Sequence, residues 1–390
     1  MKVLKTLIEI NNINNIIFFS LFIRIIILLF FELPNFGDTL THKQIGEEIF
    51  SGKIVSSAIH MPGYGVYMYL TNLLINSNYG VIFADIILSS TTVYIIYLIS
   101  KKIFNDENVG KISALIYALY PFSIFYSLSS LNETLYVFLL FLSILNFYND
   151  KYLYGIISII ISIYVKSISI FIGPAILIAF LIFYNHNSLR NICRFLALYL
   201  FILIIFMSPW WIHNFKKYND FVPTNLAYGY HLYSGNNEIN KTGGGIGGKD
   251  VDHQLILDSF QHDYFKADKV FKIKAYNFIK NNPKEFVNIT FKKFVKFWKF
   301  YPSANEYSGL KYKIISTISY GFVFILTLFF IIFYSRKFLK KIFPLIVTIF
   351  FFTFVYSLTI VSLRYRFPIE PILIILSSYS LKKFFLSNYY

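Results

Sequence analysis

The chain of 390 residues is 56% hydrophobic and only 14% charged, with 45 Phe, 32 Tyr and a formal charge of +16, and its mean hydropathy is +0.57. Repeated apolar runs of about 20 residues exclude a soluble domain of ordinary size and describe an integral membrane protein of the helical type. Lysine and arginine cluster beside those runs, so the basic balance reflects topology and anionic lipid rather than nucleic acid. The single cysteine, Cys193, excludes an internal disulfide.

Apolar windows predict ten spans, at about 16–31, 79–100, 111–128, 131–148, 152–165, 168–184, 192–209, 314–334, 343–361 and 368–381. The first follows Lys2 and Lys5 without a small-residue cleavage pattern and reads as a retained anchor. With a cytoplasmic N-terminus, Lys101, Lys102, Lys111, Arg190, Arg194, Arg336, Lys337, Lys340, Lys341, Lys382 and Lys383 all fall on the inner side. The chain then divides into an N-terminal transmembrane module, 1–209, with an outer loop at 32–78, an extracytoplasmic segment, 210–312, and C-terminal spans, 313–390.

Between the first two spans the loop carries Asp38, His42, Glu47, Glu48 and His60. Ile45 and Ile49 predict a short helix lying in the interface and ending at Gly52. Pro62 and Gly63 turn the chain into a second interfacial segment, 64–75, with Tyr64, Tyr67 and Tyr69 as an aromatic belt. Arg24 in the first span and Asp85 in the second lie at matching depth, roughly 10 Å below the outer surface at about 1.5 Å per residue. A structural ion pair between them is the expectation, against a snorkelling Arg24 or a protonated Asp85.

The same topology gathers Asp38, His60, Glu133, Lys166, Arg364 and Arg366 at the outer surface. Singly, each has a plain reading: Lys166 snorkels, Glu133 caps a helix, Arg364 binds lipid phosphate. Convergent acids and bases suit an anionic lipid-linked substrate and an activated hydroxyl. In the long segment, the glycines of 243–248, interrupted by Ile246, follow no strand and read as a mobile loop, not a phosphate-binding one. The stretch 264–300 is helical, basic and amphipathic, and His213, His231, His253 and His262 match no zinc spacing.

These residues carry a resemblance. Asp38 and the helix to Gly52, HMPGYGVY, ALYPFSIFYSLSSLNETLY, Lys166-Ser167, PWWIHN through GNN and TGG, NNPKEF with Lys293 and Trp298, and RYRFPIEP are together similar to the GT-C class of polytopic glycosyltransferases. The branch resembled is that of ArnT-like and protein O-mannosyltransferase-like enzymes. The resemblance implies an all-α membrane fold that transfers a sugar from a polyprenyl-phosphate donor to a hydroxyl on a lipid, glycan or protein acceptor, with inversion. It implies Asp38 as general base, Glu133 beside it, and Lys166, Arg364 and Arg366 on the donor phosphate, with His60, Tyr64 and His42 as further site candidates. Many relatives have a second acid and a tyrosine where this chain has Thr39 and His42, and an arginine where it has His213. A divalent metal is therefore left open, with Asp38 and Glu133 as its ligands if there is one. A lipid-linked carrier or flippase is the alternative, sharing the spans and the bases without transfer.

Overall fold

The protein is described by a computed structural model covering residues 12–30, 36–244, 258, 260, 263–302, 307 and 309–386. Every regular element among these is helical. Gly245, Gly247 and Gly248, together with His253 and His262, lie outside the described residues.

α1 (Ile13–Phe30) leads to two short helices, α2 (Gly37–Phe50) and α3 (Gly63–Ile75). These pass so closely that a Cβ on Gly46 would stand 2.3 Å from the carbonyl oxygen of Gly65, so glycine at the crossing fixes the pair. α4 (Gly80–Phe104) is the post against which α1, α3, α5 (Glu107–Leu119) and α7 (Glu133–Tyr148) pack. α8 (Tyr152–Val165) and α9 (Ser169–Ala179, prolonged by a π turn through Tyr184) follow, then α10 (Leu189–Tyr218). The last of these passes without interruption through the expected boundary at 209/210, with Pro209 inside it. α11 (Tyr228–Gly235), α12 (Tyr264–Asn281) and α13 (Pro283–Phe297) form a cap. α14 (Leu310–Phe333), α15 (Ser335–Leu358), the single turn α16 (Leu363–Arg366) and α17 (Glu370–Leu386) complete the chain.

Among the described residues, five helices are long and apolar enough to cross a membrane, α1, α4, α10, α14 and α15. α5 with α6 (Pro121–Ser127), bent by 56°, passes the same test as a pair and makes a sixth if the two are one broken span rather than a re-entrant loop. Shorter apolar helices occupy the windows at Glu133–Tyr148, Tyr152–Val165 and Ser169–Tyr184. The window 111–128 is broken by Pro121: Tyr120 before it is extended, and the proline opens α6 at its first position.

The expected Arg24–Asp85 pair does not form. α1 turns inward only Ile16, Ser20 and Arg24, one residue per helical turn, and leaves Phe18, Phe22 and Leu29 outward. Arg24 donates to Ser89 Oγ at 3.2 Å, to the Ala118 carbonyl at 3.1 Å and to Ser123 Oγ at 3.0 Å. Ser123 Oγ in turn donates to the carbonyls of Tyr117 and Tyr120, at 2.7 and 2.8 Å. Breaking a helix in the bilayer strands carbonyl groups, and the guanidinium and hydroxyls at this bend supply their donors. Asp85 accepts from the hydroxyls of Tyr64 and Tyr67, at 2.9 and 3.1 Å. The two side chains face different neighbours.

Candidate active site

One cavity of about 2000 Å³ opens between the helix ends of the bundle and the cap. Asp38, His60, Asn132, Lys166 and Arg364 line it, and Phe122, Phe125, Ile168 and Phe171 form an apolar wall. Half of that wall comes from the α5–α6 bend.

Helix ends position the charges. Asp38 lies in the first turn of α2 and Glu133 opens α7, so both carboxylates sit at the positive ends of helices. Lys166 is the C-cap of α8, where a cation is favoured. Arg364 stands in α16, whose N-cap Ser362 accepts from the Arg364 amide.

Arg364 bridges the two acids, Nη1 to Asp38 Oδ2 and Nε to Glu133 Oε1. Its Nη2 reaches Asn132 Oδ1 at 3.4 Å, and Asn132 is itself anchored to the Val165 carbonyl at 3.1 Å. Lys166 Nζ lies 2.6 Å from the same Glu133 oxygen and faces the rings of Tyr136 and Tyr365, 5.6 and 5.7 Å from their centres. Glu133 is fully buried, and Asp38 keeps 36% of its side chain exposed. Asp38 Oδ1 looks toward His60 Nε2 at 3.6 Å. Burial alone would raise the Asp38 carboxyl, but His60 and the Arg364 charge hold it well below the usual carboxylate range.

Of the sequence candidates, Asp38, His60, Glu133, Lys166 and Arg364 are brought together. His42 lies behind them, fully buried, its ring 4.6 Å from that of His60. Burial and the neighbouring His60 push it well below the ordinary imidazole value. Tyr64 is buried with its hydroxyl on Asp85 and does not line the cavity. Arg366 is not brought to the site either. It is fully buried, pairs with Glu370 at 2.7 Å, donates to the carbonyls of Phe297 and Lys299, and stacks on Tyr320 at 3.5 Å. His213 accepts from the Val55 amide at 3.1 Å and stacks on Trp210, fastening the loop after α2 to α10.

A divalent metal between Asp38 and Glu133 does not suit this donor set, since the Arg364 guanidinium already joins the two carboxylates. No group of three His, Cys, Asp or Glu side chains stands together among the described residues. Sequence reasoning missed Asn132, Tyr365, which stacks on Tyr356 at 4.5 Å, and the cavity wall at His231. Burial, together with the nearby His60, lowers the His231 imidazole to about 4, so it is neutral. Asn132 and Tyr365 lay inside the quoted motifs ALYPFSIFYSLSSLNETLY and RYRFPIEP without a role of their own, and His231 was considered only for zinc spacing.

The sequence profile of the dolichyl-phosphate-mannose-protein mannosyltransferase family matches residues 62–213, a segment holding Glu133 and Lys166. Solved structures of the Archaeoglobus fulgidus oligosaccharyltransferase share the fold. The apo form gives a TM-score of 0.58 at 12% identity, over 97% of this chain and 51% of its own. The AglB complex with an inhibitory peptide and a dolichol-phosphate gives 0.55 at 10%, over 95% and 50%. This chain thus spans about half the length of those structures. No curated protein matches it in sequence. In fold and in the matched segment the chain is similar to the GT-C-type polytopic membrane glycosyltransferases. Within that class the family-level likeness, carried by residues 62–213, is to the dolichyl-phosphate-mannose-protein mannosyltransferases.

Proposed function

We propose that the protein moves a sugar from a polyprenyl-phosphate donor to a hydroxyl of a lipid, glycan or protein acceptor, in one inverting displacement at the outer face of the cell membrane, with its N-terminus cytoplasmic. The observation that carries this reading is the Asp38–Arg364–Glu133–Lys166 cluster at the polar end of a cavity with an apolar wall. A phosphate with a hydrocarbon tail needs both. The family profile and the dolichol-phosphate in the AglB complex support a lipid-phosphate donor. In this reading 1–209 is the catalytic membrane module, 210–312 the extracytoplasmic segment and 313–390 the closing spans.

Arg364 spends one N–H on each acid, so its two terminal nitrogens retain outward N–H groups for a phosphate, and Lys166 adds a second cation. Glu133, buried behind them, fixes both cations before the substrate arrives, which is the preorganised charge a departing phosphate requires. The acceptor oxygen attacks the anomeric carbon, the bond to phosphate breaks with its electrons on the phosphate oxygen, and Asp38 takes the hydroxyl proton. Arg364 makes Asp38 a weak base at rest. A phosphate competing for the guanidinium loosens that hold and raises the carboxylate's basicity when the donor is bound.

Transfer by the purified full chain from a panel of polyprenyl-phosphate sugars tests the reading, with Asp38→Asn alongside. The amide is nearly isosteric and cannot take the proton, so turnover should fall by about 10²- to 10⁴-fold at unchanged folding. Wild-type turnover in Asp38→Asn would remove Asp38 as base. Lipid translocation without transfer would favour the carrier alternative.

A further inference from the structure

Lys293 is a buried cation that the reaction above does not use. It lies on α13 in the stripe Ile289, Lys293, Phe297, one residue per turn, which is the only face of that helix fully buried among the described side chains. Phe291, Phe294 and Val295 point outward on the other side. Its ammonium touches no acid among the described residues. It donates to the Gly235 carbonyl at 3.2 Å and Asn236 Oδ1 at 2.9 Å, at the end of α11. It also donates to the carbonyls of Leu358 and Thr359, each at 3.1 Å, at the end of α15. The last carbonyls of α15 form the negative end of a 24-residue helix, so a cation is well placed there.

The chain leaving that point is the one that bears the phosphate ligand. Residues 358–366 run from the end of α15 through Ser362 to Arg364 and Arg366, and Thr359, Ile360, Val361, Leu363 and Tyr365 line the cavity. α13 holds this segment at both ends by reciprocal bonds. Lys293 donates from the helix to the Leu358 and Thr359 carbonyls, and Arg366 donates from the segment back to the Phe297 carbonyl at 3.2 Å. Between the two grips, Phe297 stacks on Tyr356, and Tyr356 on Tyr365. Gly235 is part of the same joint: a Cβ there would lie 1.6 Å from the Thr359 oxygen, so α11 reaches this carbonyl only with glycine.

We propose that Lys293 is a positioning residue for Arg364, clamping the cap to the segment 358–366 so that the guanidinium is held between Asp38 and Glu133. The proposal rests on the reading of Arg364 as the donor-phosphate ligand. The clamp is made of carbonyl and amide oxygens alone, four of them sharing three N–H donors, so losing the ammonium charge weakens the hold on all of them at once. Its neighbours on α13 are engaged elsewhere, Lys292 with the Lys241 carbonyl and Lys296 with Thr242, and Arg366 faces Glu370. Burial lowers the Lys293 ammonium to about 7, so the clamp titrates within the physiological range.

The test uses the full chain in lipid nanodiscs with two readouts, affinity for a sugar-free polyprenyl phosphate and hydrogen exchange of the amides of 360–365. In Lys293→Met, exchange should quicken and affinity fall, each about tenfold, which is one charge-assisted hydrogen bond's worth. Lys293→Arg, keeping the charge, should restore part of both. With exchange expressed as protection relative to the intrinsic base-catalysed rate, and affinity relative to Lys293→Arg at the same pH, raising the pH from about 6 to about 8.5 should reproduce the Met phenotype in wild type while protection in Lys293→Arg stays constant. That comparison also serves if Lys293→Met fails to fold. Unchanged exchange in Lys293→Met, or equal pH responses in wild type and Lys293→Arg, would overturn the clamp. If the wild type ignores polyprenyl phosphate while Lys293→Met still exchanges faster, the clamp stands and the phosphate reading falls.

Discussion

Arg364 and Arg366 are two residues apart, and their substitution by methionine should fail in opposite ways. Arg366 and Glu370 are 0% and 1% exposed and share a 2.7 Å contact. Arg366→Met leaves the Glu370 carboxylate without its counter-charge, and breaking a buried pair from one side costs about 3–5 kcal/mol. Losing the guanidinium over Tyr320, at 3.5 Å, adds about 2 kcal/mol more for a desolvated cation–π contact. Arg364 instead keeps 24% of its side chain exposed to the cavity, and Lys166 remains on Glu133 after its removal, so solvent discounts the stability cost. In the proposed reaction Arg364→Met removes one or two charge-assisted bonds to phosphate at about 1.5–3 kcal/mol each, at least a tenfold loss of donor affinity. Detergent-denaturation curves give the first quantity and polyprenyl-phosphate binding the second. Arg366→Met with Glu370→Leu should recover much of the lost stability. The reasoning is refuted if Arg366→Met unfolds like wild type, or if Arg364→Met binds polyprenyl phosphate as tightly as wild type does.

A double-mutant cycle with Arg24→Leu and Asp85→Leu should give additive losses, since each charge has its own hydrogen-bonding partners; recovery in the double mutant would restore the ion pair. Gly235→Ala should strain the contact with the Thr359 carbonyl and lower donor affinity before it lowers expression, which binding measured on the folded fraction would check. The Lys293 ammonium titrates near 7 in the folded chain against 10.5 when free, so between those values the unfolded chain binds more protons and this group's contribution to stability rises with pH. Unfolding curves should steepen in favour of the folded state from about pH 7 upward in wild type and lose that component in Lys293→Met.

The sequence made the helical membrane class, the outer-loop helices and four charges of the site legible, because apolar windows fix depth and depth brought Asp38, Glu133, Lys166 and Arg364 to one level. It did not yield azimuth. Arg24 and Asp85 share a level and were paired on that ground, yet rotation about their helices turns one toward the α5–α6 bend and the other toward two tyrosines. RYR hides the same ambiguity. In an extended strand its two arginines would share a face, but in the helical turn Leu363–Arg366 they stand about 200° apart at about 100° per residue. One therefore reaches the cavity and the other the core. Hydropathy windows have a related blindness: they register composition and do not show that Pro121 bends the window 111–128 into a wall.

The guanidinium of Arg24 sets an order of assembly. Its partner hydroxyl on Ser123 lies 99 residues downstream, and its nearer partner, Ser89, 65 residues downstream. As the chain is made from its N-terminus, α1 enters the bilayer with its charge served only by its own Ser20. It gains Ser89 when α4 arrives and the bend when α5 and α6 arrive. A helix interrupted by proline cannot settle in lipid until donors for its freed carbonyls are present, so the first helix acts as a template waiting for the third span. Delaying or deleting α1 should then strand the segment around Pro121 outside the bilayer, with the apolar wall of the cavity, while the unbroken helix α4 inserts as before.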